Sequence, residues 1–236
     1  MVPRFGSRKT DTVIFDMDGT VLLSRKVAVE SVMLGTREMY KKLCIDARPP
    51  DEHMIVASIG KPSPDYFRAL MPELDDPTRG RVTQRILELE RQLVADGFCE
   101  YAPGAPAALL RLRQMGLALG LASNCGQGYF EACTTSMKLG DYFDMMLCSG
   151  MRRFPPKAAL LREVARSLGA VNPVVVGDTL NDLDASVTCG YPFVGVTFGY
   201  GHEAELAPSA VAMIGDLTEL VGLIAQGTSA RCSPEL

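Results

Sequence analysis

The sequence predicts an α/β protein in which a doubly wound parallel sheet is interrupted near its start by an all-helical insertion. After residue 99, short apolar runs alternate with helical segments of roughly ten to fifteen residues, which is typical of a parallel sheet. Residues 25–98 instead repeat apolar positions at helical spacing and show no strand pattern. The 236 residues, 47% of them hydrophobic, suffice for one large domain or two smaller ones.

The first elements define the predicted domain boundaries. We expect residues 1–11 to form a loose tail, and the consecutive apolar residues of "TVIFD" (12–16) to form a strand buried on both faces. Proline-containing breaks at "DARPPDEH" and "GKPSPD" divide the next region into several helices, one of which carries Glu90 among apolar neighbours. The predicted domains are residues 1–24 with 99–236, and residues 25–98, with hinges at "TVLLS" and "YAPG".

The remaining elements alternate in type. Predicted strands lie within "LALGLAS" (117–123), "DMMLCSG" (144–150), "PVVVGD" (173–178), "YPFVGVTFG" (191–199) and "VAMIGD" (211–216). Predicted helices cover residues 105–115, 127–138, a segment with Leu160, Leu161, Val164, Ala165 and Leu168 on one face, 182–188 and 217–225.

Two carboxylates follow the first strand. Asp16 ends the apolar run and Asp18 comes two residues later, before Gly19. "DGT" alone is ordinary turn chemistry, but a turn does not require a second acid at the last strand position. Two acids at this spacing can have different catalytic roles, one as nucleophile beside a divalent cation and the other as general acid.

A second acidic segment, "GDTLND", follows the strand that contains "VVV". Thr179 and Asn181 fit a helix N-terminus, whereas Asp178 ends a buried strand and Asp182 lies one helical turn further on. Oxygen ligands without histidine or cysteine partners indicate Mg²⁺ rather than zinc. The two histidines of the chain, at 53 and 202, are interpreted as surface or loop residues.

Two weaker signals accompany these acids. Ser123 and Asn124 end a predicted strand, where a hydroxyl and backbone N–H groups can form an oxyanion nest, although Ser-Asn is also common turn chemistry. Lys157 follows two prolines at a helix start, where its charge opposes the helix dipole unless an anion lies between them; a surface lysine is the alternative. Cys125 is interpreted as packing, since no histidine is near it in sequence.

In this order and spacing, "DMDGT", "SN", Lys157 and "GDTLND" resemble the haloacid dehalogenase superfamily of phosphohydrolases. The resemblance spans nearly the whole chain and is nearest to the phosphoglycolate phosphatase and β-phosphoglucomutase relatives. It implies a Rossmann-like core with an inserted C1-type helical cap. It further implies a Mg²⁺-dependent phosphatase that hydrolyses a small phosphate monoester through an aspartyl-phosphate.

The resemblance implies a role for each motif residue. Asp16 would be the nucleophile, and Asp18 the general acid and base whose backbone carbonyl binds Mg²⁺. The metal would also be held by Asp16 and Asp178, with Asp182 supporting it directly or through water. The phosphoryl group would be bound by Thr20, Ser123, Asn124 and Lys157. Substrate specificity would lie in the cap, with Arg25, Lys26, Gly60 and Lys61 as candidates.

Two other functions stay open. A β-phosphoglucomutase-like phosphotransferase is disfavoured because "TVLLSRKVAVESV" lacks the histidine that such enzymes carry after the first motif. A non-catalytic metabolite-binding protein is disfavoured by the intact acids. Asp18 itself argues against a true dehalogenase, which lacks the second aspartate.

Composition limits partners and location. A formal net charge of −4 gives no basic footprint for nucleic acid, and no apolar run is long enough to indicate a membrane span. Seven cysteines without CxxC pairing suggest reduced thiols and a cytoplasmic location. We therefore expect a small phosphorylated metabolite as the partner and a monomer or homodimer.

Overall fold

The computed structural model describes residues 9–229, which form eight strands and ten α-helices. In chain order the strands are β1 (Thr12–Phe15), β2 (Leu22–Leu23), β3 (Glu100–Tyr101), β4 (Ala118–Ser123), β5 (Met145–Cys148), β6 (Pro173–Gly177), β7 (Phe193–Val196) and β8 (Ala212–Ile214). The helices are α1 (Arg25–Leu43), α2 (Glu52–Val56), α3 (Ser63–Leu70), α4 (Asp76–Ala95), α5 (Ala105–Gln114), α6 (Gln127–Ser136), α7 (Lys157–Ser167), α8 (Leu180–Cys189), α9 (Glu203–Leu206) and α10 (Leu217–Ser229).

Six strands form one parallel sheet in the order β5-β4-β1-β6-β7-β8. The chain begins in the interior of the sheet at β1, runs to one edge through β4 and β5, and then crosses to β6 on the other side. This reversal of direction is the topological switch point of a doubly wound sheet, where ligands bind beyond the strand carboxyl ends. The predicted fold class is confirmed.

The side chains of β1 explain why this strand is central. Val13 and Phe15 pack into one hydrophobic cluster with α5 and α10, whereas Ile14 packs into a second cluster with α7 and α8. Successive residues of a strand point to opposite faces, so an uninterrupted apolar run requires helices on both sides of the sheet. Its burial fixes where the strand ends and therefore where Asp16 stands.

Helices α1 to α4 lie between β2 and β3 in the chain and pack around a third hydrophobic cluster of their own. Asp51 and Asp75 cap α2 and α4, each accepting a hydrogen bond from a backbone N–H in the first turn. Glu90 occupies a buried position of α4 beside Leu89. The division of the chain into domains at residues 24 and 99 stays a prediction.

A short antiparallel ribbon joins the helical segment to the sheet. Strands β2 and β3 pair Leu22 with Tyr101 and Leu23 with Glu100. The sequence analysis did not predict these strands, because two residues are too few to show an alternating pattern. The ribbon lies at the two segments that were interpreted as hinges.

Other elements differ from the predictions at their ends. Helix α8 begins at Leu180 rather than at 182, because Thr179 and Asp182 form a capping box. The predicted tail of residues 1–11 lies outside the described residues up to residue 8, while Asp11 accepts hydrogen bonds from the backbone of Val171 and Asn172. Asp11 is thus anchored to the segment that precedes β6.

Within residues 9–229, no helix is both long enough and apolar enough to cross a bilayer. The six cysteines of this part of the chain are free thiols, as predicted, while Cys232 lies outside the described residues. Both histidines, at 53 and 202, are exposed, which agrees with their interpretation as surface residues.

Candidate active site

The carboxyl ends of three neighbouring strands meet at one edge of the sheet. Asp16 follows β1 directly, Asp178 follows β6, and Ser123 is the last residue of β4. The Asp16 N–H donates to the carbonyl oxygen of Val176 at 2.9 Å, which holds the residue in line with its neighbouring strand. These side chains are buried, so they form a polar centre inside an apolar sheet edge.

A buried ion-pair network links Asp16, Lys157 and Asp182. Lys157 begins α7 and donates from Nζ to Asp16 Oδ1, and the same Nζ lies 2.9 Å from Asp182 Oδ1. Burial lowers the pKa of Lys157, but the two carboxylates outweigh it, so the pKa lies above its ordinary value. The surface position considered as an alternative for Lys157 is therefore wrong: the lysine is buried against the acids.

Asp178 accepts hydrogen bonds from two groups in different parts of the chain. Thr20 Oγ1 donates to its Oδ1 at 3.2 Å, and the Tyr200 N–H donates to its Oδ2 at 2.7 Å. Burial and the neighbouring Asp182 raise the pKa of Asp178 to about 7 despite these hydrogen bonds. Thr20, a predicted phosphate ligand, thus donates to a carboxylate in this structure.

Three carboxylates converge closely enough to share a cation. One oxygen atom from each of Asp16, Asp178 and Asp182 lies within 4.8 Å of the others. Burial raises the pKa of Asp16 well above its ordinary value, and the charges of Asp182 and Asp178 raise it further against the opposing effect of Lys157. A buried set of hard oxygen donors that repel one another fits Mg²⁺, whose charge would offset both effects. The side chain of Asp18 is not part of this group.

Asp18 has a separate environment. Its Oδ1 accepts a 2.7 Å hydrogen bond from the hydroxyl of Tyr129, which lies on α6. Burial raises the pKa of Asp18 above its ordinary value, although hydrogen bonds from Ser24 and Tyr129 act in the opposite direction. The two aspartates of the first motif therefore differ in their partners, with a lysine beside Asp16 and a phenol beside Asp18.

Gly19 is required by the close approach of the first motif to Asp178. Its φ is +86°, and a Cβ at this position would lie 2.3 Å from Asp178 Oδ2. Only glycine combines this left-handed backbone with such a contact. The turn between Asp18 and Thr20 is thus packed directly on the acidic centre.

The segment after β4 connects the sheet to the helical insertion. Asn124 donates from Nδ2 to the Gly60 carbonyl oxygen at 2.9 Å, and Asn181 donates to the same oxygen at 3.2 Å. The Oδ1 atom of Asn124 is buried without a hydrogen-bond partner among residues 9–229. Ser123 Oγ accepts from the Cys125 N–H at 3.3 Å. Both predicted phosphate ligands of this segment therefore lie beside the acids, with an acceptor of Asn124 unused.

A cavity of about 80 Å³ lies between the acids and the helical insertion. Its walls include Asp16, Asp18, Ser123 and Asn124 from the sheet side. The opposite walls are formed by Ser24, which precedes α1, and by the following residues of the insertion: Val27, Ala28, Ile59, Gly60, Lys61, Ser63, Tyr66, Phe67, Leu87 and Glu90. Gly60 and Lys61, predicted to contribute to specificity, are thus among the residues that line it.

Arg25 and Lys26, the other two specificity candidates, do not line the cavity. Both are exposed, and they form surface ion pairs with Glu52 at 2.8 Å and with Glu100 at 2.9 Å. The first turn of α1 directs these side chains away from the acids. Arg25 and Lys26 are therefore not part of the candidate site.

Three residues of this site were missed by the sequence analysis. Tyr129, Tyr66 and Glu90 line the cavity from helices α6, α3 and α4. Of the three, only Glu90 could have been noticed in the sequence, because it is a carboxylate at the helical spacing of apolar residues. Cys125 also lines the cavity, and burial raises the pKa of its thiol well above the ordinary value, which agrees with its interpretation as packing.

Comparisons with known proteins agree with this geometry. A model of the family described as haloacid dehalogenase-like hydrolase matches residues 13–196. Phosphoglycolate phosphatase 1 of Pseudomonas aeruginosa is 28% identical over 224 residues, which cover 91% of this chain and 79% of that protein. The phosphoglycolate phosphatase of Rhodobacter capsulatus is 27% identical over 220 residues, which cover 90% of this chain and 95% of that protein.

Solved structures share the same architecture. A crystal structure described as a predicted phosphoglycolate phosphatase from Haemophilus somnus aligns with a TM-score of 0.78 and 18% identity, covering 92% of this chain and 99% of that one. CbbY from Rhodobacter sphaeroides in complex with phosphate aligns with a TM-score of 0.75 and 18% identity, with the same coverage of 92% and 99%. At these identities the likeness concerns the fold alone.

Proposed function

Since the chain belongs to the haloacid dehalogenase-like hydrolase family, we propose that it is a Mg²⁺-dependent phosphatase that hydrolyses a small phosphate monoester through an aspartyl-phosphate on Asp16. The observation that carries the proposal is the buried contact of the Lys157 ammonium with Asp16, inside a group of three carboxylates at the strand ends. A nucleophilic carboxylate needs positive charge beside it to receive an anionic phosphoryl group.

In the proposed first step, an Asp16 oxygen attacks phosphorus and the ester oxygen leaves. Lys157 favours the ionised form of Asp16, whose pKa is raised by burial and by the neighbouring carboxylates, and its ammonium would also lie beside the phosphoryl oxygens. Ser123 and Asn124, at the end of β4, are the proposed hydrogen-bonding groups for the same oxygens. Bound Mg²⁺ would neutralise charge on the phosphoryl group and on the carboxylates of Asp16 and Asp178.

We propose Asp18 as the general acid for the leaving oxygen and as the base for the water that hydrolyses the aspartyl-phosphate. A raised pKa suits a group that must carry a proton in one step and release it in the next. Tyr129 would orient the Asp18 carboxylate through its 2.7 Å hydrogen bond. Tyr129 is therefore proposed as a positioning residue.

We propose that helices α1 to α4 act as a cap that excludes water from Asp16. The Gly60 carbonyl, which accepts hydrogen bonds from Asn124 and Asn181, supports this because it couples the cap loop to both the second and the fourth motif. Closure of this loop would complete the cavity around the leaving group.

The named relatives make 2-phosphoglycolate an obvious member of a substrate panel. A phosphotransferase of the β-phosphoglucomutase type is not favoured, since neither His53 nor His202 lines the cavity. The free thiols support a cytoplasmic location, which we propose with the phosphorylated metabolite as partner.

The decisive experiment is hydrolysis of p-nitrophenyl phosphate with Mg²⁺ and with EDTA. Asp16→Asn is expected to lose activity by more than about a thousandfold, as nucleophile removal does, while Asp96→Asn, an exposed control at the end of α4, keeps it. Full activity of Asp16→Asn would overturn the nucleophile assignment, and equal activity in EDTA would overturn the metal requirement.

A further inference from the structure

The cap side of the cavity carries two polar groups that the proposed mechanism does not use. Tyr66 on α3 and Glu90 on α4 both line the cavity, and each is 8% exposed. Around them the cap wall is mainly apolar, with Val27, Phe67 and Leu87. Burial of an unpaired polar group is costly, so two such groups in one apolar wall call for a partner.

The Tyr66 hydroxyl has no such partner in the part of the chain that the structure describes. Its oxygen is buried and makes no hydrogen bond among residues 9–229. A buried phenol normally finds an acceptor or a donor. Because this phenol lines the cavity, a ligand group placed there would satisfy it.

The Glu90 carboxyl is also unpaired. No described residue forms a salt bridge or a hydrogen bond with it, although the charge of Arg91, its exposed sequence neighbour, acts to lower its pKa. Burial and the charge of Asp18 raise the pKa of Glu90 to about 8. A carboxyl group in this setting favours a ligand that brings a hydrogen-bond donor or a positive charge.

A carboxylate-bearing ligand would meet the buried acid Glu90 on this wall and, within residues 9–229, no buried cation there to offset its charge. Among the described residues that line the cavity on the cap side, Lys61 is the one cation, and it is exposed and donates to Ser58 Oγ at 3.3 Å. A cavity of about 80 Å³ between the acids and the cap suits a small leaving group.

We propose that Glu90 and Tyr66 form a cap subsite that selects phosphate monoesters whose small leaving group ends in an O–H or N–H donor, as in a short polyol or amino alcohol. The subsite disfavours leaving groups that end in a carboxylate. This inference rests on the proposed phosphatase function and specifies its substrate class.

The test uses four esters that differ mainly in the terminal group of the leaving group. These are 2-aminoethyl phosphate, 2-hydroxyethyl phosphate, 2-phosphoglycolate and ethyl phosphate. Phosphate release with Mg²⁺ gives kcat/KM for each. For wild type, at least one of the two donor-bearing esters is expected to exceed both 2-phosphoglycolate and ethyl phosphate by about tenfold or more, the scale of one buried hydrogen bond to a charged group.

The variants are Glu90→Gln and Tyr66→Phe, with Glu88→Gln on an exposed position of α4 as the matched control. Each result is read as the ratio of kcat/KM to that for ethyl phosphate, so a general loss of activity cancels. If this ratio falls about tenfold for 2-aminoethyl phosphate alone in Glu90→Gln, the ammonium is the group that Glu90 binds. If the ratio falls for 2-hydroxyethyl phosphate in Tyr66→Phe, the substrate hydroxyl is the group that Tyr66 binds.

Two results overturn the subsite. One is a wild-type preference for 2-phosphoglycolate over both donor-bearing esters, and the other is a set of ratios that neither variant changes. Either result leaves the phosphatase proposal intact, because phosphate is still released. Absence of phosphate release from all four esters and from p-nitrophenyl phosphate would instead overturn the proposed function itself.

Discussion

Replacement of Gly19 by alanine tests how tightly the first motif packs on Asp178. The added Cβ would lie 2.3 Å from Asp178 Oδ2 and 2.7 Å from the Tyr200 ring, at a φ of +86°. Gly97 offers a matched control, since its φ is +84° and no atom lies within 4 Å of a Cβ built there. Gly97→Ala therefore introduces the backbone strain without the contact.

The expected free energies follow from these two terms. A left-handed backbone costs a non-glycine residue about 1–2 kcal/mol, so Gly97→Ala should lower the free energy of unfolding by about that amount. Gly19→Ala adds a clash in a packed region, which costs a further ~1–3 kcal/mol. The difference between the two variants isolates the contact with Asp178.

Urea unfolding at neutral pH in EDTA measures both values, with equal m-values as the condition for comparing them. Because the added methyl group displaces an Asp178 oxygen, Gly19→Ala should also bind Mg²⁺ more weakly than Gly97→Ala. Equal loss of stability in the two variants, with unchanged Mg²⁺ affinity, would refute the packing argument.

Three further predictions concern the charges of the site. Lys157→Met should lose about 3–5 kcal/mol in EDTA because it leaves buried carboxylates unpaired, while exposed Lys41→Met should lose little in the same urea titration. Saturating Mg²⁺, at about 100 times its Kd, should stabilise wild type by about 2.7 kcal/mol in a thermal melt; Asp178→Asn should lose most of this gain, and an undiminished gain would exclude Asp178 as a ligand. The pKa of Glu90 rises from 4.5 to about 8 on folding, so the folded state holds the proton more tightly. Between about pH 5 and pH 8 the wild type should lose about 3–5 kcal/mol of unfolding free energy relative to Glu90→Gln. Glu88→Gln should follow wild type, and parallel pH curves for all three proteins would contradict the burial of a titrating Glu90.

The sheet and its acidic edge were predictable because the pattern of apolar residues in a strand shows whether one face or both faces are buried. An apolar run such as "TVIFD" specifies a strand covered on both faces, and parallel strands bring their carboxyl ends together. Asp16 and Asp178 could therefore be placed near each other without coordinates. The role of Lys157 was predicted only from its place in the order of the family's motifs, because nothing in its local sequence required it to be buried.

The cap wall was not predictable by the same means. Tyr66 and Tyr129 belong to segments that were predicted to be helical, but helical spacing does not say which buried side chain faces a cavity. Arg25 and Lys26 show the opposite error. They lie close to the first motif in sequence, but this closeness does not determine whether their side chains face the cavity or the solvent. The two-residue strands β2 and β3 carry too little pattern to detect.

The Asp182 carboxylate links the acidic centre to helix α8, because each of its two oxygens contacts a different partner. Oδ2 accepts from the N–H of Thr179 at 3.1 Å and caps α8, while Oδ1 faces the Lys157 ammonium at 2.9 Å. A ligand that draws Asp182 toward the centre would loosen the first turn of α8, and one that frees it from Lys157 would tighten that turn. Amide hydrogen exchange at Thr179 would therefore report occupancy of the site.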